Sequence, residues 1–476
     1  MKQLVAAAII LLSALASTTP LTAGEPIGHD DATRAALYYA AQQWGSVAFV
    51  ESQVFANPKT GVAEVYVFTL QTDGRGRTTP AEIRELVLEN ADLLHLSLQE
   101  LSASKSADDS GALIAQIAQH RRARFAADRF ATVAIGANTD QPPLIYLHAG
   151  LPEHIAHADE FNSTAAASLD GVTPSNVEYL YAGPLALVYR FTASSGRTVD
   201  LTSDMTELVI AEERHDGTEQ QRVPTVSDLQ RHAHKWEELL ALEQVRSIDL
   251  NATTKDLGAP KRVTNVISGV PDYDQRLYGV NTCGPTAVAQ VMGYWDGHAY
   301  AATGDGPFRN LMDGGPASES TNLAGVSAAV EQLKQTLGWN TDGVLYLNVT
   351  DGILDFANHS NYQNNLSFTV PGGIDLYPSW DTVRSEIDAG RPFLYEILGS
   401  FEYAGGRPGN INHFMTGVGY QEGYGADEDM QVLITHFNWG YDTPVYINFG
   451  NFWMWDNLWP IVPGGEDTEN PDCYVN

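Results

Sequence analysis

The alternation of apolar and polar residues from Glu64 to Leu70 predicts a strand. The same reasoning gives a meander of Val177 to Tyr181, Leu185 to Phe191 and Thr198 to Leu201, with Ser195-Gly196 as one turn. Thr79, Pro80 and Glu82 carry the signature of a helix start, a cap followed by a favourable first turn. From Ser227 to about Val245, Leu229, Trp236, Leu239 and Leu240 fall on roughly one helical face, and the polar stretch Ser247 to Asn265 that follows predicts a domain boundary. Beyond it the periodicity becomes helical again. Val288, Val291, Met292 and Trp295 mark a helix stopped at Gly297, Val326, Val330, Leu333 and Leu337 a second stopped at Gly338, and Val383 with Ile387 a third. Strands then crowd together at Pro392 to Leu398, His413 to Tyr420, Met430 to Phe437 and Pro444 to Phe449. Helices first and an antiparallel sheet afterwards make the second half α+β, preceded by a first half that reads as one or two smaller α+β modules.

The chain of 476 residues is long enough for two or three compact units. Its start, basic at Lys2, apolar from Leu4 to Leu12 and small at Ala14-Leu15-Ala16, has the layout of a cleaved signal peptide over residues 1–23, and the apolar run is shorter than the about 20 residues that span a bilayer. The expected product is secreted or periplasmic, with no membrane in the mature form. The remaining expected divisions are a pro-region or accessory region at 24–246, a linker at 247–265, the helix-then-sheet domain at 266–463 and an acidic tail at 464–476. Lys261-Arg262 within the linker is a candidate processing site. With 59 acidic against 27 basic residues and a formal charge of -32, the chain repels phosphate backbones, which excludes nucleic acid as the expected partner. Its two cysteines, Cys283 and Cys473, are too few for a disulfide scaffold, although export permits one bridge between them. No helix pairs histidines at ligand spacing and neither cysteine has a near cysteine neighbour, so no metal or other cofactor is expected.

Asn281-Thr282-Cys283-Gly284-Pro285 stands at the start of the first of these helices, with Thr282 a candidate cap, Pro285 suited to a first turn, and Gly284 leaving room for a substrate carbonyl. The amide donors and macrodipole of a helix start favour a thiolate, the nucleophilic form of cysteine. Residues 270–295, VPDYDQRLYGVNTCGPTAVAQVMGYW, resemble the nucleophile segment of the bacteriocin-leader-peptidase-like branch of papain-like cysteine peptidases, in which a glutamine, a short loop and Cys-Gly-Pro precede a helix ending in aromatics. The fold implied is a nucleophile-bearing helix packed on an antiparallel sheet.

That resemblance implies that Gln275, eight residues before Cys283, donates to the oxyanion together with the Cys283 backbone N–H. The base is expected later in the chain on a strand, and Asn412-His413-Phe414-Met415-Thr416-Gly417-Val418-Gly419-Tyr420 resembles the histidine strand of the leader-peptidase-like and streptopain-like families. His298, His359 and His436 compete with His413 but lack a motif. Asn438-Trp439-Gly440 resembles the Asn-Trp-Gly signature of the streptopain-like family, implying that Asn438 holds the imidazole while Trp439 shields it, with Asp442 in reserve. His413 lacks the preceding glycines of streptopain, and the spacing from Gln275 to Cys283 is longer than in papain. The function implied is hydrolysis of peptide bonds in a peptide or protein substrate by a zymogen whose first half contacts the catalytic domain in cis. A transpeptidase or transamidase on the same fold, and an inactive binding protein, are the alternatives.

Overall fold

A computed structural model describes residues 24–73, 78–87, 129–183, 186–203, 205, 207–208, 225–254, 257, 263–297, 311–312, 319–340, 343–359, 368–402, 408–424, 427–439, 443–449 and 455–463. The expected signal peptide and acidic tail, Cys473, Lys261-Arg262, His298 and Asp442 lie outside the described residues, as does the side chain of His359. In the first half, helix α1 (His29–Trp44) precedes strands β1 (Ala48–Ala56), β2 (Ala63–Gln71), β3 (Phe130–Gly136), β4 (Leu144–Ala149), β5 (Asn176–Gly183), β6 (Ala186–Thr192) and β7 (Thr198–Thr202), and α2 (Val226–Ala241) follows. In the second half, β8 (Val263–Val266) leads to α3 (Cys283–Gly297), α4 (Glu319–Thr336) and α5 (Val349–His359). Strands β9 (Phe368–Thr369) and β10 (Asp375–Leu376), helix α6 (Trp380–Asp388), and strands β11 (Phe393–Glu402), β12 (Pro408–Tyr424), β13 (Asp427–His436), β14 (Val445–Asn448), β15 (Trp455–Pro460) and β16 (Val462–Pro463) complete it.

Capping boxes form at two helix starts, of which the one at Thr79 was expected. Thr225 and Asp228 close a capping box at α2, and Thr79 with Glu82 does the same at the helix covering 80–87. The expected helix from Ser227 to Val245 ends earlier, because Leu242 is extended (φ -61°, ψ 131°) and a separate short turn, Glu243–Arg246, follows. Most strands join one 14-stranded sheet, in the order β10-β15-β11-β12-β13-β14-β4-β3-β2-β1-β5-β6-β7 with β8 on β12; β9 and β16 pair separately. The sheet therefore crosses the expected domain boundary. β14 pairs antiparallel with β4 through Val445–His148, Tyr446–Leu147 and Ile447–Tyr146. The stretch expected as a linker is also partly built into the fold: Thr254 bridges to Val47, and Val263 to Asn265 belong to β8 on β12.

One face of this sheet carries a core drawn from both halves, with Phe55, Phe130 and Tyr189 in the same cluster as Tyr395, Met415 and Phe437. On the opposite face α1 and α2 cover β2 to β4, and Met430 and Val432 of β13 join their core. Further along, α3, α4 and α5 pack over β11 to β13, where Val288, Val291 and Met292 meet Leu394, Phe414 and Val418. Thr416 fixes that contact by donating its hydroxyl to Ala287 O at 3.1 Å. No helix among the described residues is long and apolar enough to cross a membrane.

Candidate active site

Cys283 is the first residue of α3 and is nearly buried. The loop before it is held from two sides: Asn281 adopts a left-handed conformation (φ 53°) and its carbonyl accepts from Trp339 Nε1 at 2.8 Å. Thr282 does not cap the helix as its sequence position suggests. Its hydroxyl donates upstream, to Gln275 O at 2.9 Å and Gly279 O at 3.1 Å, and so ties the helix start to the turn that carries Gln275. Gly284 also has a different reason from the one expected. A Cβ there would lie 3.3 Å from Val344 Cγ2 and 3.4 Å from Phe414 Cδ2, so the glycine lets the helix start close down on β12.

Gln275 opens a single 3-10 turn, Gln275–Leu277, whose cap is Asp274 accepting from Arg276 N. Its side chain is buried, and its backbone N–H donates to Asn438 O at 2.8 Å. Asp274 bridges to Trp439, which places this turn against the residues that follow β13. Arg276 adds a link that the sequence did not suggest. Its guanidinium reaches Asp274, Trp439 O at 2.7 Å, and His157 Nε2 of the first half at 2.7 Å.

His413 lies on β12 opposite Ile397 of β11, immediately before the Phe414 that packs beneath Gly284. Its ring rests on Phe437 (centroids 4.5 Å apart) and on Trp439 (5.2 Å), the residue expected to shield it. Nε2 stands 3.1 Å from Phe437 O. A carbonyl only accepts, so Nε2 carries the hydrogen in this bond. The ring is thus held at the backbone carbonyl of Phe437, whereas the family resemblance implied Asn438 as the residue that holds it.

Asn438 is fully buried at φ 61° and is engaged elsewhere. Its Nδ2 donates to Cys283 O at 3.2 Å and to Phe414 O at 2.7 Å, while Oδ1 accepts from Gln290 Nε2 at 2.7 Å. The side chain joins the backbone of Cys283 to the backbone of the strand that carries His413. Among the competing histidines, His436 donates Nδ1–H to Pro271 O at 3.0 Å, and burial pushes its pKa down to about 4. It is a neutral structural imidazole.

Gln290 was not anticipated as a site residue. The available signal was a polar side chain on a mostly apolar helix, seven residues and therefore about two turns beyond Cys283.

A cysteine at a helix start, a histidine on the strand beneath it and a buried glutamine just upstream are the elements that the resemblance to papain-like cysteine peptidases implied. Residues 267–436 match the model described as Peptidase_C39 like family, and the match points to a cysteine peptidase. It contains Gln275, Cys283 and His413 and ends two residues before Asn438. No curated protein matches the chain.

Proposed function

We propose that this protein is an exported cysteine peptidase that cleaves peptide bonds through a thioester acyl-enzyme. The observation that carries the reading is the fixed tautomer of His413, on a strand packed beneath the start of the Cys283 helix. In this mechanism the Cys283 thiolate attacks the substrate carbonyl carbon, and the negative charge on its oxygen is met by the Cys283 N–H and the Gln275 side chain. The C–N bond breaks as the His413 imidazolium gives its Nδ1 proton to the leaving amine. Water then attacks the thioester and gives one proton to Nδ1, and the C–S bond breaks to release the acid and restore the thiolate–imidazolium pair. Phe437 O holds the ring throughout, and Asn438 holds the two backbones in register.

Of the two expectations for the first half, a removed pro-region and a permanent accessory region, the shared sheet and shared core favour the permanent one. The test is labelling with an electrophilic peptide-like thiol reagent, followed by mapping of the modified residue. Rapid labelling at Cys283, its loss in Cys283→Ala, and a large slowing near neutral pH in His413→Ala with the fold retained are expected. Equal labelling of the wild type and His413→Ala would remove the histidine from its role.

A further inference from the structure

Gln290 is fully buried on α3, and its Nε2 donates to Asn438 Oδ1 at 2.7 Å, with Tyr273 O at 3.3 Å and Asp272 Oδ1 at 3.5 Å as its further acceptors. Tyr273 lies two residues before Gln275. A side-chain amide placed in an apolar helix interface is costly unless its hydrogen bonds are made, and here its Oε1 has no hydrogen-bond partner among the described residues. The direction of the Gln290–Asn438 bond explains why that cost is accepted. Cys283 O and Phe414 O only accept, so both hydrogens of Asn438 Nδ2 must face them, and Oδ1 must face away toward a donor. Gln290 supplies that donor. With its amide reversed, two oxygens would meet at 2.7 Å.

Three segments converge on this pair. Asn438 Nδ2 holds the carbonyl of the nucleophile and the carbonyl next to His413, and Asn438 O receives the N–H of Gln275. We propose that Gln290 is a positioning residue of the active site: by fixing the orientation of Asn438 it sets Cys283, the His413 strand and the Gln275 turn relative to one another. The proposal rests on the peptidase reading above. It does not make Gln290 a catalytic residue, because Gln290 acts only through Asn438.

The experiment uses the full chain and iodoacetamide, whose reaction with Cys283 is followed as a function of pH in Gln290→Glu, Gln290→Met, Asn438→Ala and the Gln290→Met/Asn438→Ala pair. Gln290→Glu keeps the shape and removes the donor, while Gln290→Met keeps the length in a side chain with neither donor nor carboxylate. Misplacement by a fraction of an ångström to 1 Å is enough to slow a positioned reaction by about 10- to 100-fold. Slowing of that order at pH 7, with the rise in rate moved toward alkaline pH and far-ultraviolet circular dichroism unchanged, is expected for Gln290→Met and more strongly for Gln290→Glu. The pair should be no slower than Asn438→Ala alone, because removing Asn438 removes the route through which Gln290 acts. A merely space-filling Gln290 gives variants that melt earlier but keep the wild-type pH profile, and that outcome overturns the proposal alone. A wild-type Cys283 with the reactivity of an ordinary thiol overturns the peptidase reading itself.

Discussion

Asn438 sits where the chain leaves β13 in a left-handed conformation, which asparagine tolerates better than most residues, and its side chain is the right length to reach two carbonyls at once. Other buried polar residues lie near it and make stability depend on pH. Burial pushes His148 and His436 down to about 4 and His154 down to about 3, while it pushes the carboxyl of Glu153 up to about 7. Depressed histidines stabilise fully above their ordinary value of 6.5 and lose that contribution as the pH falls through 4 and 3. A raised carboxyl behaves in the opposite sense: its contribution is complete below 4.5 and is lost as the pH rises through 7. Between pH 4.5 and 6.5 unfolding therefore takes up roughly two protons net, three onto imidazoles against one released by Glu153, and stability should fall on acidification. Glu153→Gln should raise the melting temperature clearly at pH 8 and much less at pH 5. Equal gains at both pH values would show that Glu153 is not held neutral by the fold. At this scale Cys283, Gln275 and His413 were legible because each sits in a short local motif. The role of Asn438 was not, because it depends on which carbonyls a turn brings within reach.

β12 runs for 17 residues because it has two successive neighbours on one edge, β11 along its first part and β8 along its last. The glycines of its motif make this possible. A Cβ at Gly419 would stand 2.6 Å from Asn265 O, a backbone atom of β8, and a Cβ at Gly417 would stand 2.2 Å from the ring of Phe393. Gly419→Ala should therefore push β8 away from β12 and cost about 1–3 kcal/mol, the usual penalty for overpacking, as measured by urea unfolding. An unchanged urea midpoint would mean that β8 does not need the close approach. The second-half helices and the later strands were legible because their large apolar residues, such as Val288, Val291, Met292 and Trp295 in the otherwise buried α3, recur at regular spacing or in short runs. α1 was not marked, because its buried residues, from Ala32 and Thr33 through Ala35 to Gln42, leave no polar stripe to read. β3 was not marked for a similar reason. Phe130 and Ala134 face one core and Val133 and Ile135 the other, so the strand is a continuous apolar run without alternation.

Nothing in the sequence marks β14 as the neighbour of β4, since strand order in a sheet leaves no local pattern, yet this pairing decides how the two halves can behave. If they parted, β4 and β14 would each become an unpaired edge, and the core they share would be exposed on both sides. Side chains reinforce the seam: Asn448 Nδ2 donates to Leu144 O at 2.9 Å, Thr443 Oγ1 to Ala149 O at 3.3 Å, and Arg276 joins His157, whose Nδ1 is in turn 2.6 Å from Glu160. A protease that removes a pro-region has to cut the connection and also let the cut piece leave. Here the second step requires a sheet to be pulled apart along an interior strand pair. A specific protease site placed between Thr254 and Val263 and cleaved after purification should therefore give two fragments that elute together in size-exclusion chromatography and separate only in denaturant. The cut protein should keep its rate of Cys283 alkylation, and a chain beginning at Val266 and made alone should aggregate. Release of the first half under native conditions, with faster alkylation of the remainder, would instead establish it as a removable inhibitor.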